Sequence, residues 1–226
     1  MSQNNNIQDP EIKVEEALSK TEKFFETYKK PMLYGAIAVI VIAGAVLAYH
    51  NFVALPKQQE AMAQTFTAEQ YFRADDFEKA LNGDGNTLGF KQIIDDYGTS
   101  AGKAVYFYAG VCELQLANYK EALNYLKNYS GKDAIISARA IACMGDAYAG
   151  LGDLKTAASE YQKAANSADN IFAAGYFLKA GITYEELGQP QDALKMYEII
   201  KNKYPQSPEG YEINKYISRI QVSTTK

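Results

Sequence analysis

Tryptophan is absent from this 226-residue chain, histidine occurs once, cysteine twice and proline six times. Each shortage removes a class of chemistry. The one histidine, His50, has no second histidine and no Ser or Cys partner motif, so no nucleophile–base pair can be assembled around it. Cys112 and Cys143 form neither a CxxC nor a Cys/His cluster, which argues against zinc. They read as small buried hydrophobes. A disulfide between neighbouring helices is the other reading, if the domain faces an oxidising compartment. There is no P-loop and no dinucleotide fingerprint. Positive charge is not in excess: 23 Lys and Arg stand against 27 Asp and Glu, a net charge of -4. A nucleic-acid partner, which needs a basic stripe to neutralise phosphates, is therefore not expected. The sequence calls for no cofactor, no metal and no enzymatic activity.

Two acidic features remain. Asn82-Gly-Asp-Gly-Asn86 has the look of a calcium loop, but an EF-hand needs Gly at its sixth position and Glu at its twelfth. Counted from Asn82, those positions are Thr87 and Ile93, so a turn is the reading. Asp95/Asp96 and Glu185/Glu186 are adjacent in sequence and would point different ways on a helix, as solvated faces do.

What the chain does have is a long apolar run, many tyrosines (18, with 10 phenylalanines) and an internal repeat. No charged residue occurs from Pro31 to Leu55, and the 18 positions from Met32 to Tyr49 carry no strongly polar side chain. At 1.5 Å per residue, 18 positions span roughly 27 Å, close to a bilayer core. The preceding acidic segment and the length of the run differ from a cleaved signal. No cysteine follows for a lipid anchor, so residues 31–55 read as a retained transmembrane helix. Lys20, Lys23, Lys29 and Lys30 flank its N-terminal side, against Lys57 alone on the other. The positive-inside rule then puts the N-terminus in the cytoplasm and the rest in the periplasm of a bacterial inner membrane.

Ahead of the span, residues 1–8 are polar and expected to be disordered. Residues 9–30 read as an amphipathic helix capped by Asp9, with Pro10 in its first turn. Its stripe is Val14, Leu18, Thr21, Phe25 and Tyr28. It would lie at the membrane surface, or else make a cytoplasmic contact.

Three stretches beyond the span align without gaps: Tyr106 to Leu126, Ile141 to Tyr161 and Phe177 to Tyr197. Gly110, Gly145 and Gly181 fall 35 and 36 residues apart. This pattern resembles the tetratricopeptide-repeat family, and each position has a physical reason. The three glycines, with Ala122, Ala157 and Ala193, would sit where the two helices of a hairpin cross. Leu116, Leu151 and Leu187 would pack before the turn, and Gly152 and Gly188 would supply the left-handed residue that ends a helix. Tyr148, Tyr184, Tyr161 and Tyr197 would fill the space between hairpins. The first stretch departs with Glu113 and Ala117, so looser ends are expected there. A degenerate unit precedes it, from Tyr71 to Ala80, interrupted at Asn82–Asn86 and resumed from Leu88 to Tyr97. The sequence Tyr204-Pro-Gln-Ser-Pro208 would stop one helix and start a solvating cap helix.

The expected fold is thus all-α: a tetratricopeptide-repeat helical solenoid over residues 56–221 with one N-terminal transmembrane helix. Repeats are expected near 58–100, 103–136, 138–171 and 174–207, with a cap helix at 208–221 and a tail at 222–226. In this family the first helices of the hairpins line a concave groove. The resemblance places Phe107, Val111, Leu114, Gln115, Arg139, Ala142, Asp146, Ala149, Leu178, Ile182, Glu185 and Glu186 on that face. Such a groove would take an apolar helix or peptide, with Arg139, Asp146, Glu185 and Glu186 setting register. The chain's own N- or C-terminal helix could equally fill it.

The layout is similar to ancillary subunits of the bacterial SecYEG translocon, which work with a membrane-anchored periplasmic chaperone. That similarity implies a protein-binding scaffold whose partners are translocon subunits, such a chaperone or exported clients. The alternative is a coordinator of envelope assembly or cell division. An enzyme accessory subunit or hydrolase ranks below both, since no catalytic constellation is present.

Overall fold

The computed structural model describes residues 10–167 and 169–224. The expected disorder of residues 1–8 and the Asp9 cap lie outside them. The chain forms two compact units, Met1–Pro56 and Lys57–Lys226.

The first unit is dominated by one helix, α1 (Pro10–Tyr49), which continues through Pro31. The side chains of Val14, Leu18, Thr21 and Phe25 are outside the described residues, while Tyr28 is exposed. Every residue from 26 to 53 is exposed, with Ile40 at 70% and Val39 at 66%. From Met32 to Tyr49 the helix is apolar on every face, which suits lipid better than water. It is long and apolar enough to cross a membrane. Its last turn is followed by a π-helical turn, His50–Ala54, in which the Leu55 N–H donates to the His50 carbonyl. The wider turn lies directly ahead of Pro56, whose ring collides with the preceding turn of a regular α-helix and whose missing N–H breaks its ladder.

The second unit is a run of antiparallel helical hairpins. Helix α2 (Leu55–Arg73) pairs with a second helix broken into α3 (Phe77–Asn82) and α4 (Phe90–Tyr97). Then come α5 (Ala104–Gln115) with α6 (Tyr119–Asn128), α7 (Ala134–Gly150) with α8 (Leu154–Ser167), and α9 (Phe172–Glu186) with α10 (Pro190–Lys203). Helix α11 (Pro208–Thr224) closes the series, running past the expected end at 221. No strand occurs among the described residues.

All four hairpin turns share one geometry. The N–H of Asp76, Asn118, Asp153 and Gln189 donates to the carbonyl five residues back, that of Tyr71, Glu113, Tyr148 and Tyr184. Each turn needs one residue with positive φ, and these are Asp75, Ala117, Gly152 and Gly188. Ala117 therefore adopts the conformation its glycine counterparts adopt, at φ 61. The looser ends expected for the first stretch are not found. Glu113 is buried there, and its carboxylate accepts from Asn118 Nδ2 at 2.8 Å, closing the same turn from inside.

The helix crossings follow from the small residues. A methyl group on Gly110 would meet Leu126, one on Gly145 would meet Tyr161, and one on Gly181 would meet Tyr197. Ala122, Ala157 and Ala193 are fully buried opposite. One expectation needs correcting: Leu116 and Leu187 are half-buried, but Leu151 is 43% exposed. All three occupy the C-cap position of their helix, so the cap position itself does not explain the difference.

The interruption in the first hairpin is a pinched loop. A side chain on Gly89 would collide with the backbone of Leu81 and Gly83, so the chain crosses itself there only because both positions are glycine. Asp84 accepts from Tyr71 Oη (2.8 Å), the N–H groups of Asn86 and Thr87 (2.9 and 2.8 Å) and Thr87 Oγ1 (2.9 Å). These bonds hold its carboxyl well below the usual range, the Tyr71 hydroxyl most of all. The segment is a self-satisfied turn. At the other end, Ser207 is buried and its Oγ accepts from the Gly210 N–H at 2.9 Å, capping α11.

Both cysteines are buried and unpaired, in separate core clusters. Burial pushes the Cys112 thiol up to about 12 and that of Cys143 up to about 11. Neither is a ready nucleophile.

Candidate functional site

The twelve positions expected on the groove face fall into three groups. Phe107, Val111 and Ala142 are buried, at 6%, 6% and 3% exposure. Phe107 and Val111 pack with Leu126, Ala140 and Cys143, and Ala142 belongs to the large C-terminal core cluster. They are spacers between consecutive hairpins and do not face outward, which departs from the expectation. The reason is that α5 and α7 lie close enough for Phe107 to fill the gap between them. The Arg139 guanidinium lies over its ring at 5.9 Å.

A second group consists of charged residues already engaged. Asp146 on α7 pairs with Lys179 on α9 at 2.6 Å and accepts from the Tyr161 hydroxyl at 2.7 Å. Glu185 on α9 pairs with Arg219 on α11, with contacts of 2.7 and 3.2 Å, and accepts from the Tyr197 hydroxyl. These carboxylates hold successive helices together, so their use in setting a partner's register is not where the structure puts them. Each clasp takes a carboxylate from one hairpin's first helix, a tyrosine from its second and a cation from the next first helix. Burial, then the carboxylate bond, pushes both tyrosines far above their ordinary range. The hydrogen bond from Arg219 to Glu185 raises the guanidinium further.

The third group is accessible. Leu114, Ala149, Leu178 and Ile182 are half-buried, and Gln115, Arg139 and Glu186 are exposed. Fewer positions are thus accessible than the sequence implied, and the exposed ones among them are polar. It is also closed at one end, because α11 packs along α10 and α9 and brings Arg219 to Glu185. The protein's own C-terminal helix covers the last hairpin as a cap.

Sequence reasoning missed a cleft beside this face. It has a volume of about 550 Å³ and lies between the start of α9 and the start of α11. Ile171, Phe172, Tyr176 and Leu178 line one side, and Pro208 and Glu209 the other. Ile171 and Phe172 are large apolar residues left 52% and 56% exposed. Leu178 belongs to both the cleft and the expected groove face. The signal for the clasps was present in the repeated tyrosines Tyr161 and Tyr197. Their partners Lys179 and Arg219 carried none, since 33- and 34-residue contacts depend on how the hairpins stack.

Residues 176–207 match the family model described as the tetratricopeptide repeat. They cover most of α9, all of α10 and the turn into α11. None of the curated proteins compared with the chain matches it.

Proposed function

We propose that this chain, which carries a tetratricopeptide repeat and one helix fit to cross a membrane, is a membrane-anchored scaffold for protein binding. Repeats of this kind mediate binding to other proteins and generally do no chemistry. The reading is supported by Leu114, Ala149, Leu178 and Ile182, apolar side chains on the first helices of the hairpins that are left partly exposed, and by Leu178 also lining the cleft beside α9. Stacked hairpins offer extended surfaces of this type to helices or peptides.

In finer terms, the proposed role is that of an ancillary translocon subunit. The apolar span at residues 31–55 anchors it in a bacterial inner membrane with the N-terminus cytoplasmic and the repeats periplasmic. The lysine asymmetry around the span supports that orientation. The repeats hold a membrane-anchored chaperone or an emerging client, and tethering raises their concentration at the channel exit. Mild-detergent pull-down of the tagged full-length protein, with partners identified by mass spectrometry, tests this. Translocon subunits together with a membrane-anchored chaperone are the expected harvest. Division or outer-membrane assembly proteins in their place would sink the translocon role and leave a scaffold of the envelope.

A further inference from the structure

The cleft between α9 and α11 contains a charge without a partner. Glu209, in the first turn of α11, has one carboxylate oxygen, Oε2, that is shielded from solvent and accepts no hydrogen bond. Its other oxygen lies 3.1 Å from where a Cβ at Gly175 would be, so the carboxylate sits close against the backbone of α9. Two nearby donors are committed elsewhere. The Gly210 N–H donates to Ser207 Oγ at 2.9 Å. Lys179, the cation at the cleft's edge, is held by Asp146 at 2.6 Å, with its ammonium 5.5 Å from the centre of the Tyr161 ring. A shielded carboxylate oxygen with no donor is costly, and the walls around it are apolar.

We infer that this cleft binds a segment of a partner protein that sets a large apolar side chain against Ile171, Phe172 and Leu178 and brings a Lys or Arg to Glu209. Charge complementarity selects the cation, because the cleft's own unpaired charge is negative. An acidic segment would bring a like charge to a carboxylate in a poorly solvated site. Leu178, which lines the cleft, is also one of the positions expected on the groove face, which favours a protein segment as the occupant. The inference rests on the scaffold reading and adds to it the sign of charge the partner must carry.

The test uses the full-length protein in lipid nanodiscs and a panel of labelled 12-residue amphipathic peptides. Each carries a Leu face and one Lys placed three or four residues from the central Leu. Matched peptides carry Glu or norleucine in place of Lys. Fluorescence anisotropy is expected to show at least one Lys peptide binding tenfold or more tighter than its Glu counterpart. Glu209→Gln should erase that difference. Phe172→Ser, at an exposed position, should weaken the Lys and norleucine peptides together without loss of helicity. Equal binding of Lys and Glu peptides, sensitive to Phe172→Ser, would overturn the charge preference while leaving the scaffold reading intact. No binding by any peptide would overturn the inference, and the pull-down then judges the scaffold reading separately. A Glu209-dependent dimer seen by mass photometry without peptide would also overturn it, by making a second copy the occupant.

Discussion

The first complete hairpin and the two that follow have one backbone design and two kinds of seam. In α5/α6, Gly110 faces Leu126 and the turn is closed by Ala117 and a buried Glu113–Asn118 bond. In α7/α8 and α9/α10 the glycine faces a tyrosine, and the turn is closed by glycine. The tyrosine hydroxyl there reaches a carboxylate that holds a cation on the next first helix. An aliphatic seam can slide and repack. A tyrosine fixed at its hydroxyl gives the C-terminal hairpins a defined register.

The largest effect should come from filling the crossings. Gly181→Val drives a side chain into Tyr197, which is fully buried and fixed by Glu185. It should cost about 3 kcal/mol, since overpacking a tight core costs roughly that much. Gly110→Val presses on the more adaptable Leu126 and should cost about 1–2 kcal/mol. Urea midpoints of the two variants measure the difference. Equal losses would erase the distinction between the seams.

Alkaline pH should separate them next. Tyr161 and Tyr197 titrate well above their ordinary range when folded, because burial and a carboxylate partner disfavour the phenolate. Above about pH 10 the unfolded chain therefore releases protons that the folded one keeps, so stability falls as pH rises. Tyr204, pushed up to about 12 by burial and its bond to Asp169, adds to the same trend. Helicity followed from pH 9 to 12 should show alkaline unfolding. Tyr161→Phe with Tyr197→Phe should flatten that dependence, and an unchanged profile would mean the clasps do not set it.

At neutral pH, removing one clasp hydroxyl by Tyr197→Phe should cost about 1.5 kcal/mol, the low end for a hydrogen bond to a charged group, because the carboxylate keeps Arg219 as a second partner. The smallest effect is a gain. Ala117→Gly should stabilise by about 0.5–1 kcal/mol, because alanine at φ 61 is strained where glycine is not. Gly152→Ala should lose a similar amount. Thermal melts of the pair, compared at equal protein concentration, read both.

Much of the fold could be seen in the sequence because it is written at short range. The glycine and alanine positions at the crossings, the left-handed glycines and the Ser207–Pro208 helix start are all local demands. What the sequence hid is long-range. That Phe107 and Val111 turn inward depends on the distance between α5 and α7. That Asp146 and Glu185 are spent on Lys179 and Arg219 depends on stacking. Glu185 is not even at the repeat position of Asp146: it reaches the equivalent tyrosine from one turn further along, with a longer side chain. The cleft at Glu209 arises where the cap helix meets the last hairpin, a junction no single repeat describes.

The central claim is that the accessible apolar face binds a protein. Leu114 and Leu178 are half-buried on it, so Leu114→Glu with Leu178→Glu places two charges on that face. The decisive measurement is partner capture by the full-length double variant, with circular dichroism and melting temperature taken on the same sample. The account predicts that capture falls at least tenfold while helicity holds, with the melting temperature lowered because both side chains also pack against the core. Capture at the wild-type level by a folded double variant would contradict it.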